Sequence, residues 1–261
     1  MPIEAVHIDL DGVIWLNEDV IPGVPEAVAA LQQRFKVLFL TNTSRLSTQQ
    51  IVAKLGRMGI AAKPEEVLTA ARVGALYMAS KKPRGRVFLI AEGEVDKEMQ
   101  AVGLAVTRKE ERCDFVFVGY DEQADYKMLN TAMRLVLEGA ELVGGSSIRI
   151  FPTPEGQSIA TGPLVKAIEY ATSTTATLMG KPEPSFFKLG LALTKTEPAE
   201  TVMVGDDLEV DIAPPQKLGI KTVLVETGTH KAADCEKLGI KPDWVVLSLA
   251  DVPKLLAGLG Q

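Results

Sequence analysis

Ala5-Val6-His7-Ile8-Asp9-Leu10-Asp11-Gly12-Val13 is an apolar run that ends in two carboxylates and a glycine, and it decides how the rest of the chain is read. Residues 5–10 read as a buried strand. Asp9 and Asp11, two apart, project to one face at its end. Carboxylates withdrawn from water there are unfavourable unless a cation or a shared proton compensates them. The same pair serves equally as a strand-terminal turn in which Asp11-Gly12 reverses the chain.

Outward from this stretch, short β-branched runs alternate with longer amphipathic ones. An apolar piece covers 13–16, and a helix covers 25–33 with Pro25 in its first turn. A second strand, 36–40, runs into Thr41-Asn42-Thr43-Ser44. A helix follows over 47–58, with Ser47 as N-cap and Gly59 as stop. Further strands fall at 87–90, 115–118, 201–204 and 222–225, and further helices at 126–137, 163–171 and 185–193. This alternation predicts βαβ units, hence an α/β fold with a mainly parallel sheet and helices on both faces. Two composition breaks, Lys81-Lys82-Pro83-Arg84-Gly85 and Thr172-Ser173-Thr174-Thr175, bracket a second α/β unit inserted into the first.

Composition narrows the class. The 261 residues are 46% hydrophobic and 24% charged, which excludes a disordered or low-complexity chain. A net charge of −6 without a basic stripe speaks against nucleic acid as partner. No apolar run reaches the ~20 residues of a membrane helix. Glu4, Asp9 and Asp11 fall where a signal peptide would be basic and then apolar. Cys113 and Cys235 form no paired-thiol motif, and two histidines leave little room for His-rich metal chemistry. A cytoplasmic protein is expected.

Three more stretches carry chemistry. Gly205-Asp206-Asp207-Leu208-Glu209-Val210-Asp211 follows the strand 201–204, and its carboxylates repel unless something positive lies among them. Hard oxygen ligands at a strand end suit Mg²⁺. Asp207 and Glu209 also fit an acidic helix start, so Asp206 and Asp211 are the better candidates. Thr41-Asn42-Thr43, after its strand, can cradle a phosphate with hydroxyl and N–H groups, or serve as a solvated loop. Met179-Gly180-Lys181-Pro182-Glu183-Pro184 brackets one lysine with Gly and Pro; a lysine is more often plain surface charge. Ligands in open α/β sheets bind beyond the carboxyl ends of the strands. One phosphoryl-transfer site there explains all four stretches, where the ordinary readings need four separate accidents.

With these four motifs in this order, the sequence resembles the haloacid dehalogenase superfamily over nearly its whole length. More narrowly, it resembles the class with a large α/β cap between the second and third motifs. That class includes pyridoxal phosphatase, the NagD-type phosphatases and the haloacid-dehalogenase-like hydrolase domain-containing proteins. The resemblance implies a Rossmann-like doubly wound core at 1–81 and 177–261, with the smaller α/β cap inserted at 82–176. It implies Asp9 as nucleophile and Asp11 as general acid/base, with Thr41, Asn42, Thr43 and Lys181 on the phosphoryl group. Mg²⁺ would lie between Asp9, the Asp11 carbonyl and Asp206, supported by Asp211. Expulsion of halide needs no proton, so Asp11 favours a phosphatase over a dehalogenase.

The implied activity is Mg²⁺-dependent hydrolysis of a small phosphorylated metabolite through an aspartyl-phosphate. A phosphoprotein or phosphorus–nitrogen-bond hydrolase of the same family is the alternative, and a non-catalytic phosphate sensor a further one. The resemblance also implies a homodimer formed through the cap. Relatives commonly carry Gly-Gly after the acidic motif, where this chain has Ala213-Pro214-Pro215; a small shift of the following helix without loss of the site is expected. Residues 148–163 read as a long Gly/Pro-rich loop of the cap. In it, Arg149 and Gln157 are candidates to meet the leaving group, against a plainer reading as surface polar residues.

Overall fold

The computed structural model describes residues 2–153 and 156–258. The chain divides into two compact units, Met1–Thr41 with Ile51–Leu68 and Lys181–Gln261, and Asn42–Gln50 with Thr69–Gly180.

The first unit holds a six-stranded sheet in the order Trp244–Val246, Lys221–Val225, Thr201–Gly205, Ala5–Asp9, Lys36–Thr41, Val67–Thr69. Ala5–Asp9 pairs in parallel with both neighbours. It is buried at every residue, which is why its sequence is apolar without alternation. From this strand the chain first steps to one side, through Lys36–Thr41 and Val67–Thr69. It later returns to the other side with Thr201–Gly205, Lys221–Val225 and Trp244–Val246. That is the doubly wound α/β order expected, and the reversal opens a crevice at the carboxyl ends of Ala5–Asp9 and Thr201–Gly205.

The helix Val24–Gln32 buries Val24, Ala27, Val28 and Leu31, the spacing of one helical face, and has a proline in its first turn. Just before it, Trp15–Leu16 and Asp19–Val20 form a small antiparallel hairpin.

The second unit has a five-stranded sheet in the order Thr177–Leu178, Glu141–Gly144, Phe115–Val118, Arg86–Ile90, Ala105–Thr107, with parallel pairing throughout. Phe88, Ile90, Val116 and Val118 on the sheet pack with Ala132, Leu135, Val165 and Ile168 on helices Tyr126–Leu137 and Thr161–Thr172. Each such large apolar side chain contributes about 1.5–3 kcal/mol by leaving water. The first of these helices keeps its expected bounds because Asp125 caps it, accepting from the Met128 N–H at 2.7 Å.

The stretch 148–163 differs from expectation. It contains an antiparallel hairpin, Ile150–Thr153 with Gly156–Ile159, and the next helix already begins at Thr161. Ile150 and Ile159 face each other across the hairpin yet are both exposed, so no buried face imprints a period on the sequence. Pro154 and Glu155 of this stretch lie outside the described residues. Cys113 and Cys235 are free thiols, each partly buried. Among the described residues no helix is long and apolar enough to cross a membrane.

Candidate active site

Asp9 closes the strand Ala5–Asp9, and Asp206 follows directly on the adjacent strand Thr201–Gly205. Both therefore stand at the switch point of the sheet. Asp211 arrives through a π-helical turn, Leu208–Ile212, and Lys181 lies just ahead of the helix Pro184–Thr194. The structure brings these four side chains together. One carboxylate oxygen each from Asp9, Asp206 and Asp211 lies within 4.8 Å of the other two. The Lys181 Nζ donates to Asp9 Oδ1 at 2.5 Å and to Asp211 Oδ1 at 2.7 Å. All four are buried, with Lys181 2% exposed and Asp9 6%.

Burial dominates the electrostatics. It raises the Asp9 carboxyl well above the usual carboxylate range; Lys181 opposes the shift, while Asp211, Asp206 and Asp11 add to it. Asp206 is pushed up to about 6 by burial and by Asp211, against the Thr229 N–H. Burial alone would lower the Lys181 ammonium, but Asp211 and Asp9 together carry it above its ordinary value, so it stays charged. Three clustered carboxylates facing one ammonium leave the pocket short of positive charge. A donor set of hard carboxylate oxygens fits a divalent cation of the magnesium type.

Asp206 is held in place from two sides. Its Oδ2 accepts from the Thr229 N–H at 2.6 Å. Gly12, at φ +82°, and Gly228 lie so close that a Cβ on either would overlap the carboxylate. Asp11 is exposed, and its Oδ1 accepts from Trp15 Nε1 at 2.7 Å. Thr41 is buried at the end of the strand beside Asp9, and Asn42 and Thr43 continue from it, each partly exposed.

Asp207 serves the turn: its Oδ1 accepts from the Glu209 and Val210 N–H groups at 2.9 and 3.1 Å. Glu209 is exposed. Pro214 and Pro215 lie in the short helix Ala213–Gln216, which continues directly from that π-helical turn, and Asp211 keeps its buried place beside Lys181. Arg149 and Gln157 are both exposed in the second unit.

Trp15, Gly228 and Thr229 escaped the sequence reading. The last two belong to Thr227-Gly228-Thr229, a polar glycine loop one residue beyond the strand Lys221–Val225. The rule that singled out Thr41-Asn42-Thr43 would have found them. Trp15 carries no such local sign, because its partner is set by a hairpin.

Fold and site together define an α/β protein whose parallel sheet gathers three buried carboxylates and a lysine at its switch point, a donor set that fits a cation. The family model described as haloacid dehalogenase-like hydrolase matches residues 6–105, and one described as HAD-hydrolase-like matches 178–252. Haloacid dehalogenase-like hydrolase domain-containing protein 2 of Bos taurus is 32% identical over 92% of this chain and 90% of its own. The acid sugar phosphatase of Staphylococcus saprophyticus is 30% identical over 97% and 98%. The structure of p-nitrophenyl phosphatase from Archaeoglobus fulgidus superposes with a TM-score of 0.92 at 28% identity, over 98% of this chain and 100% of that one. The chain belongs to the haloacid dehalogenase-like hydrolases.

Proposed function

We propose that this chain, a hydrolase of phosphate monoesters by its family, acts on a small phosphorylated metabolite through a phosphoryl group carried on Asp9. The observation that supports this reading best is Lys181 held between Asp9 and Asp211, with Asp206 alongside, at the carboxyl edge of the sheet.

In the first step an Asp9 carboxylate oxygen bonds to phosphorus and the bond from phosphorus to the leaving oxygen breaks. Asp11 gives its proton to that oxygen, so an alcohol departs. In the second step Asp11 takes a proton from water, the water oxygen bonds to phosphorus, and the Asp9–phosphorus bond breaks to release phosphate. Lys181 holds Asp9 in place and balances the charge of the incoming dianion. Thr41, with Asn42 and Thr43, would hold the phosphoryl oxygens. Magnesium, held by Asp9, Asp206 and the Asp11 carbonyl with Asp211 in support, would supply further charge neutralisation for phosphoryl transfer.

Residues 82–176 are read as the inserted cap of this class, lying within the second unit, and the choice of substrate falls to it. Arg149 and Gln157 are its candidate contacts, and a homodimer formed through the cap is part of the same proposal.

The test is Asp9→Asn, which preserves size and removes the nucleophile. Hydrolysis of p-nitrophenyl phosphate should fall at least about a thousandfold while the circular dichroism spectrum is unchanged. Robust turnover by the variant would remove Asp9 from the role assigned to it.

A further inference from the structure

Trp15 is 2% exposed, yet it spends its indole N–H on a carboxylate that is itself exposed, Asp11. The bond is 2.7 Å long and goes to Oδ1 alone, which leaves Oδ2 for other chemistry. An aspartate in a turn beyond a strand end has little to fix its side-chain torsions. Trp15 is, by contrast, fixed three times over. Trp15 pairs with Val20 in the hairpin. Its carbonyl accepts the Gly12 N–H at 2.8 Å, which closes the turn that carries Asp11. The Nζ of Lys54, on the helix Thr48–Arg57, stands 4.4 Å from the ring centroid. Lys54 is tethered in turn to Glu18 Oε1 at 3.2 Å and to the Asn17 carbonyl at 3.4 Å.

We propose that Trp15 is a positioning residue for Asp11. Its N–H holds the carboxylate where a proton can be passed to the leaving oxygen, and Lys54 secures the indole. This rests on the reading of Asp11 as general acid/base. The competing account is that the indole N–H, like that of any buried tryptophan, merely takes the nearest acceptor. The two accounts differ in chemistry. A positioning role matters most when the leaving group needs a proton. An alkyl phosphate must expel an alkoxide unless it is protonated, whereas nitrophenolate departs readily as the anion. A merely structural role slows both substrates alike.

The decisive variant is Trp15→Phe, which keeps an aromatic ring under Lys54 and deletes the N–H. On glycerol phosphate kcat should fall about tenfold with KM unchanged, the scale expected when a reacting group is slightly misplaced. On p-nitrophenyl phosphate the fall should be markedly smaller. In an Asp11→Ala background the same substitution should add nothing on either substrate, since the residue it serves is gone.

Equal losses on the two substrates, no loss on either, or a further loss in the Asp11→Ala background would overturn the proposal. If Trp15→Phe does not fold, Lys54→Met reads the same effect with the N–H retained: a bias against the alkyl substrate of a few-fold supports the proposal, and equal rates overturn it. Wild-type protein inactive on both substrates would overturn the phosphatase reading as well. Active wild type with an indifferent Trp15→Phe overturns this inference alone.

Discussion

Lys181 places one ammonium between Asp9 and Asp211, and its removal tests the pocket as a balance of charge. Lys181→Met keeps the stem and leaves two buried carboxylates facing each other, a change that costs about 3 kcal/mol when a buried pair loses one partner. The pH dependence has a definite sign. The Asp9 carboxyl already lies above its ordinary range, and without the lysine it rises further. The folded variant then keeps a proton that the unfolded chain releases, so stability is present in acid and lost as pH rises through the raised value. Urea unfolding should show the gap to wild type narrowing from pH 7 to pH 5; a widening gap would contradict this account. At this scale Asp9, Asp206 and Lys181 could be read from sequence, because a polar residue at the end of an apolar strand announces itself. The ion pair from Asp211 to Lys181 could not, since it depends on the π-helical turn that carries Asp211 inward.

The strand Ala5–Asp9 holds a second buried titratable group, His7. Its Nε2 meets Thr194 Oγ1 at 3.3 Å, and its Nδ1 has no hydrogen-bond partner among the described residues. Burial lowers its pKa from 6.5 to about 3. Between those values the unfolded chain binds a proton that the native strand refuses, so this contribution to stability is full above pH 6.5 and is lost as pH falls. Compared with a His7→Gln variant, wild type should lose about 2 kcal/mol more between pH 7 and pH 5. Parallel stability curves for the two proteins would show that His7 is not the group responsible. Among the elements, the amphipathic helices and the buried strands given ranges followed from their pattern, whereas Ala70–Lys81, rich in small residues, shows no such stripe and has no range in the sequence reading. Val67–Thr69 is only three residues long, and Glu141–Gly144 opens on a charge and closes on glycine, so neither stands out as an apolar run. The hairpin at 150–159 reads as a loop in the sequence because Ile150 and Ile159, paired across it, are both exposed.

For the molecule as a whole, the alternation of strands and helices was enough to expect a mainly parallel sheet with helices on both faces, and the family resemblance added the doubly wound core. Pro214-Pro215 shows why motif matching alone cannot fix the outcome: the departure from the family pattern leaves Asp211 in place. A cation that binds only the folded pocket must stabilise the entire chain. At a hundredfold excess over its dissociation constant it contributes about 2.7 kcal/mol, a rise in Tm of roughly 5 °C for a protein of this size. Magnesium should raise Tm by that order, EDTA should reverse it, and Asp206→Asn should shrink it. A melting curve indifferent to magnesium in the wild type would take the metal out of the proposal.

The partners in the Asp9–Lys181 pair are separated by 172 residues, with the whole of the second unit encoded between them. A ribosome therefore delivers the Asp9 carboxylate long before its counter-ion, and delivers Lys36–Thr41 well ahead of Thr201–Gly205, the other strand that flanks Ala5–Asp9. Translation halted anywhere ahead of codon 181 yields a product without the ammonium, whatever else has folded. If the pocket works as proposed, chemistry is withheld until synthesis has passed the insertion, and a shorter product lacks Lys181, Asp206 and Asp211 together.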